Sequence, residues 1–156
     1  MRSAHCIALS LGAAASLAAT MACLAADSPA YFMFEQKSPK GETEQFTFKL
    51  TDSARIAEAR KILTDRTDMR RSVEGTIIQH KAAYNPRWSF YLDPPSIAFF
   101  EMAIEVCEAN VTYMEAHLDE IGGSTLPKSF WCPWSSRLTA EVTDSIDPQT
   151  ETPRKP

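Results

Sequence analysis

Glycine is scarce in this chain, with five residues in 156, and none of them frames a phosphate-binding run or a Gly-x-Ser-x-Gly elbow. The strained nucleophile turn of serine hydrolases and the backbone cradle of nucleotide-binding loops are therefore missing. Histidine is scarcer, with three residues, and the two beyond the leader, His80 and His117, lie far apart in sequence. They are too few for a histidine-based metal site unless carboxylates complete it. No His-Glu-x-x-His string and no Asp-x-Asp-x-Asp-Gly loop occurs, which removes the zinc-protease and EF-hand readings. A basic excess is also lacking: 16 Lys and Arg stand against 20 Asp and Glu, a formal charge of -4. Nucleic-acid binding needs a cationic footprint to displace counterions from phosphates, so no nucleic-acid partner is expected.

The first 26 residues lack aromatic rings altogether and carry one charge, Arg2, whereas all 15 Phe, Tyr and Trp follow Ala26. The order is a short basic start, an Ala/Leu-rich stretch from Cys6 to about Leu24, and the small pair Ala25-Ala26. This is the layout of a secretory signal peptide cut after Ala25 or Ala26, which predicts a secreted or periplasmic protein with no stable membrane anchor after cleavage. Ser10, Gly12, Ser16 and Thr20 interrupt the stretch and weigh against a retained anchor. Acylation at Cys23 is disfavoured by the Thr20-Met21-Ala22 that precedes it. The division expected is signal peptide 1–26, one domain 27–142 and a disordered tail 143–156, where Pro, Thr, Asp and Lys dominate without apolar periodicity. Loss of Arg2 takes the charge of the mature chain to -5.

Of four cysteines, Cys6 and Cys23 leave with the leader, and Cys107 and Cys132 remain. In an oxidising compartment two cysteines are expected to pair. A catalytic thiol is the competing reading, but Cys107 sits in an apolar pattern and Cys132 between Trp131 and Pro133, neither an electropositive setting.

Strands are expected at Tyr31 to Phe34 and Phe46 to Leu50; in the second, Phe46, Phe48 and Leu50 alternate with polar residues. Thr51 or Asp52 caps a helix to about Leu63 with an apolar stripe of Ile56, Ala59, Ile62 and Leu63. Strands follow at Ser72 to His80 and Trp88 to Leu92. Ile97, Phe100, Ile104, Cys107, Val111, Met114, Leu118 and Ile121 then recur at spacings of 3 and 4, which predicts one long amphipathic helix opened by Asp93-Pro94 and stopped by Gly122-Gly123. A last strand lies near Arg137 to Val142. This order predicts an α+β domain: a mostly antiparallel sheet of about five strands with two helices, one long, packed on one face.

Three kinds of chemistry are carried by this pattern. On the expected long helix Glu101, Glu105, Glu108, Glu115 and Asp119 share one side, a solvated face or a calcium-binding module. The segment Lys49 to Arg71 carries a +3 excess, which balances acids elsewhere or offers an anion patch. Asp93 with Glu101, or Glu105 with His117, could pair as acid and base in a small carboxylate/histidine hydrolase. The aromatic residues in and beside loops point instead to recognition. Tyr84, Asn85, Arg87, Trp88 and Trp134 are the candidate binding residues, flat rings with polar tips flanked by hydrogen-bonding groups. Trp131 and Trp134 also suit a core around the cysteine pair.

Several strings are distinctive in combination: Phe48-Lys49-Leu50-Thr51-Asp52, Tyr84-Asn85-Pro86-Arg87-Trp88-Ser89, Leu92-Asp93-Pro94, Phe99 to Cys107, His117-Leu118-Asp119-Glu120 and Trp131-Cys132-Pro133-Trp134. Over about residues 30–142 the chain resembles the domain at the N-terminus of a slime-mould calmodulin-binding protein, a domain that also occurs as small secreted single-domain proteins. The resemblance implies a domain with paired cysteines and carries no catalytic residues, and the larger protein's calmodulin binding does not transfer with it. Asp52-Ser53 replaces the Asp-Pro expected at the start of the first helix. The expectation is an exported single-domain binding module for a protein, peptide or glycan, with no cofactor, no metal site and no catalytic residues assigned.

Overall fold

A computed structural model of the chain describes residues 28–65, 67–102, 107–124 and 126–155. The expected signal peptide, together with Glu105 and Ile104 of the expected long helix, lies outside the described residues. The architecture is α+β, and the strands divide between two main sheets rather than forming one.

The first sheet is antiparallel with order β2-β1-β9, from β1 (Ala30–Lys37), β2 (Thr43–Leu50) and β9 (Arg137–Glu141). Alternation in β2 sends Glu44, Phe46, Phe48 and Leu50 inward, and the register sets Phe32 opposite Phe48 and Phe34 opposite Phe46. These rings stack at centroid distances of 6.0 and 5.2 Å, within the range where aromatic pairs add to area burial. Between β2 and the second sheet, α1 (Ser53–Thr64) begins at Asp52, whose side chain accepts the Arg55 amide at 2.9 Å. Its Ile56, Ala59 and Ile62 are buried, as the apolar stripe predicts. Its cations are neutralised close by: Arg55 and Arg70 on Glu58, Arg70 also on Asp68, and Arg60 on Glu141 of β9.

The second sheet has β3 (Ser72–Ile78) at its centre, flanked by β4 (Tyr91–Leu92) and β5 (Ala98–Phe100), with β8 (Phe130–Trp131) also paired to β3. Gly75 lies opposite Trp131 in this register. A Cβ on Gly75 would stand 3.2 Å from Ser96 Oγ and 3.4 Å from Ile97 and Leu92, so the close approach of the 94–97 turn requires glycine. The Trp131 indole is fully buried against Phe34, Phe46 and Phe90 and donates to the Ala109 carbonyl at 2.9 Å, joining the two sheets in one core. Next to it Cys132 is disulfide-bonded to Cys107.

The expected long helix does not form. Pro94–Ser96 makes one 3-10 turn, Ile97 is extended, and Ala98–Phe100 pairs with Ser72–Glu74 as β5. Ile97 and Phe99 are buried and Phe100 only half-buried, so the governing period here is two, not 3.6. Helix returns as α2 (Val111–Ala116), six residues capped by Asn110, and ends in a 3-10 turn at Leu118–Glu120 before the short parallel pair β6 (Ile121–Gly122) and β7 (Leu126–Pro127). The carboxylates placed on one helix face therefore do not share a helix, and the calcium-binding reading loses its geometry. Among the described residues no group of three or more His, Cys, Asp and Glu is placed to hold a metal ion.

The segment after Thr143, expected to be disordered, folds back instead. Ile146 bridges to Pro153 and is buried against Tyr31 and Tyr84, and the Arg154 amide donates to Ser145 O at 2.7 Å. A single buried isoleucine anchors a segment too polar to show periodicity.

Candidate binding pocket

The loop between β3 and β4 closes the outer edge of β2. Unpaired strand edges invite pairing with other chains, and proteins cover them. Here the cover is made by side chains: the Thr47 amide donates to Asn85 Oδ1 at 3.2 Å, and the Trp88 indole N–H donates to the Gln45 carbonyl at 2.8 Å. Tyr84, Asn85 and Trp88 are each 4% exposed. The expectation that these three form an open recognition platform is therefore corrected: their polar tips are used within the domain and their rings are packed. Arg87 is exposed, lies over the Trp88 ring at 4.6 Å, and reaches to 3.8 Å from Glu44 Oε1. Glu44 is buried on the Phe46 side of β2, where the Thr112 hydroxyl donates to its Oε1 and its Oε2 has no hydrogen-bond partner. Trp134 is 45% exposed and sits elsewhere, its indole N–H donating to Cys132 Sγ at 3.3 Å. The five candidate residues thus do not converge on one surface.

A cavity of about 330 Å³ opens beside the loop, lined by Lys49, His80, Lys81, Tyr84, Tyr91 and Glu151 among others. It is built from the sheet outward. Tyr31 of β1 and Lys49 of β2 are register partners, on the sheet face opposite the phenylalanines. The Lys49 ammonium stands 5.9 Å from the Tyr31 ring centroid, and the Tyr84 ring packs on Tyr31 at 5.2 Å. Into this group the folded-back segment inserts Glu151, whose carboxylate accepts from Lys49 Nζ at 2.5 Å and from the Tyr31 hydroxyl. Both bonds favour the ionised acid and hold Glu151 below the usual carboxylate range, the Lys49 bond most. Burial, reinforced by the hydrogen bond to Glu151, pushes the Tyr31 hydroxyl well above an ordinary phenol; burial, with the charges around it, does the same to Tyr84.

His80 and Lys81 are exposed at the rim. The His80 Nδ1 lies 2.9 Å from the Lys81 carbonyl; a carbonyl only accepts, so Nδ1 carries the proton and Nε2 faces outward from that bond. His117 is held similarly, with Nδ1 donating to the Tyr113 carbonyl at 2.8 Å and its ring stacked on Tyr113 at 4.0 Å. Asp93 ends β4 and receives Ser96 Oγ on its backbone carbonyl. Neither acid-base pair considered from the sequence is assembled: His117 is turned to its own helix, Asp93 to the 94–96 turn, and Glu105 lies outside the described residues.

Of the pocket residues, only Tyr84 is legible in the sequence as a site candidate. Lys49 appears there within a basic segment and His80 as a surviving histidine, while Tyr31, Tyr91 and Glu151 have no signal of their own. The alternation of Lys49 with Phe48 and Leu50, which puts it on the open face of β2, is the signal that could have found it. No curated protein and no solved structure matches the chain. A family model does match, over residues 28–145, about three quarters of the sequence and all of the strands described above. It describes the N-terminal domain of the calmodulin-binding protein that the distinctive strings resemble, and the chain belongs to that N-terminal domain family.

Proposed function

We propose that the mature chain is an exported, secreted or periplasmic, single-domain binding module that takes a peptide or protein ligand at the pocket around Lys49, His80, Lys81 and Tyr91. The observation that carries this reading is the pocket itself: a concave site with cationic groups and tyrosine walls, set on a rigid sheet, is a recognition geometry. Export rests on the leader pattern of residues 1–26 and agrees with a buried cysteine pair that an oxidising compartment keeps closed.

The two parts are tested separately. Mass spectrometry of the natively expressed protein is expected to find a chain beginning after Ala25 or Ala26 in the extracellular or periplasmic fraction; a cytoplasmic chain retaining Met1 would end the export reading. For binding, amide chemical shifts of the ¹⁵N-labelled mature domain are recorded against a peptide library. Perturbations centred on Lys49, Lys81 and Tyr91 are expected, and hits confined to other surfaces would remove this pocket as the site.

A further inference from the structure

We infer that this pocket is a carboxylate subsite, selecting an acidic peptide, and that Glu151 of the chain itself occupies it as an intramolecular stand-in for the ligand. The inference rests on the binding reading above and adds the ligand's chemistry and a means of control. Three independent observations support it.

The first is the chemistry of contact. Glu151 shows where a carboxylate fits: its Oε1 meets Lys49 Nζ at 2.5 Å, with the Tyr31 hydroxyl on the same group. A bidentate acceptor between an ammonium and a phenol is recognition specific to a planar anion. The second is charge imbalance. Lys49 and Lys81 line the cavity with His80, and Glu151 is the one acid among the lining residues, so the pocket stays cationic with the stand-in present. Among the described residues no salt bridge engages Lys81, which leaves a rim cation for a second acidic group of a bound peptide.

The third is the way the stand-in is held. Glu151 is an L-residue with φ of 54°, in the left-handed region that glycine and asparagine tolerate and glutamate disfavours. Its side chain is still 37% exposed, so solvent and a competitor reach it. Glu151 lies beyond the family-matched residues 28–145, whereas the other lining residues lie within them. The binding surface thus belongs to the shared domain, and the occupant comes from the segment after it. A tethered group competes at an effective concentration of order mM, so an external carboxylate must exceed that or bring further contacts such as Lys81.

The test titrates the intact mature domain with N-acetylated, C-terminally amidated tetraglutamate, using tetralysine and inorganic phosphate as comparison probes, by calorimetry and amide shifts. Glu151→Gln removes the stand-in's charge and is expected to tighten tetraglutamate binding at least about tenfold over the wild type. Lys81→Gln, at an exposed rim position, is expected to weaken it in the Glu151→Gln background, and Lys49→Met to abolish it, each with the thermal transition monitored to verify folding. Equal affinity in wild type and Glu151→Gln, binding insensitive to Lys81→Gln, or phosphate bound more tightly than tetraglutamate would each overturn the inference. If the peptide library finds non-acidic ligands at this pocket while tetraglutamate fails, the carboxylate assignment falls and the binding reading stands. If no ligand perturbs the pocket, both fall.

Discussion

The indole N–H of Trp88 donates to the Gln45 carbonyl at 2.8 Å, on the side of β2 that no strand covers. With Asn85 Oδ1 accepting the Thr47 amide two residues along, the loop supplies the two hydrogen bonds that a fourth strand would have made. The β2 edge is closed without backbone pairing, and a self-associating edge is avoided. Trp88→Phe keeps most of the ring but leaves a buried carbonyl without its donor. It is expected to cost about 1–3 kcal/mol of unfolding free energy, read from the urea midpoint, and to raise the tendency to associate. A tryptophan serving only a ligand would show no loss of stability.

The cysteine pair gives a second expectation. Cys107 and Cys132 are 25 residues apart in sequence and sit beside the buried Trp131. In the chain-entropy account a loop of this size stabilises by about 3.5 kcal/mol. The double variant Cys107→Ser, Cys132→Ser, or reduction of the wild type, is therefore expected to lower the thermal midpoint by several degrees or more. An unchanged midpoint would mean that the bond constrains little. Intact mature protein under denaturing, non-reducing conditions should show no free thiol.

How far the sequence can be read varies with the number of forces that act on each segment. The β2 alternation and the Asp52 cap are local signals whose tertiary setting agrees with them, and both are as the pattern predicts. The cysteine pair is accessible through compartment logic. The long helix fails because residues 97–121 satisfy two periods at once. Ile97 and Phe99 repeat at two, Ile97 and Phe100 at three, and β3 offers a partner in register: Phe99 lies opposite Val73 and Phe100 opposite Ser72. Cross-strand packing and the tether from Cys107 to Cys132 outweigh a helical propensity that β-branched and aromatic residues make weak. At the pocket, Tyr31 and Lys49 meet only through strand register, and Glu151 arrives from a segment whose one anchor is Ile146. Neither relation has a short-range signature. Loop aromatics are visible in the sequence, but their polar tips serve the edge of β2, an edge that composition does not reveal.

Glu44 carries a third expectation. It shares the inward parity of Phe46, so alternation alone puts a carboxylate in the core, and the Thr112 hydroxyl is its direct donor. Thr112→Val leaves that carboxylate with Arg87 at 3.8 Å as its remaining polar neighbour. The expected cost is about 1.5–3 kcal/mol in denaturant unfolding, since bonds to charged groups are worth more than neutral ones. In a Glu44→Leu background the same Thr112→Val change should cost little, and the double-mutant cycle reads the coupling. Additive losses would show that the two residues act independently.

The pH dependence of stability follows from the direction of each shift. Hydrogen bonds from Arg60 to Glu141, from Lys49 to Glu151, and from Thr67, Arg70 and Thr150 to Asp65, Asp68 and Asp147 hold these acids below their usual values. In the unfolded chain such groups titrate near about 3.9 for Asp and about 4.3 for Glu. Their contribution is fully present above that range and is lost as pH falls through the lower folded values, because the unfolded state then takes up protons first. Tyr31 and Tyr84 shift the other way: burial raises both phenols, so their contribution is present below about 10 and is lost as pH rises toward their folded values. The urea midpoint should therefore be flat between the two limbs and fall on each side. Glu151→Gln is expected to shallow the acid limb, and about 1 M salt to shallow it further by screening the exposed pairs. Phenolate absorbance should appear for Tyr31 and Tyr84 together with unfolding; ionisation of all four tyrosines in the folded protein near about 10 would contradict their burial.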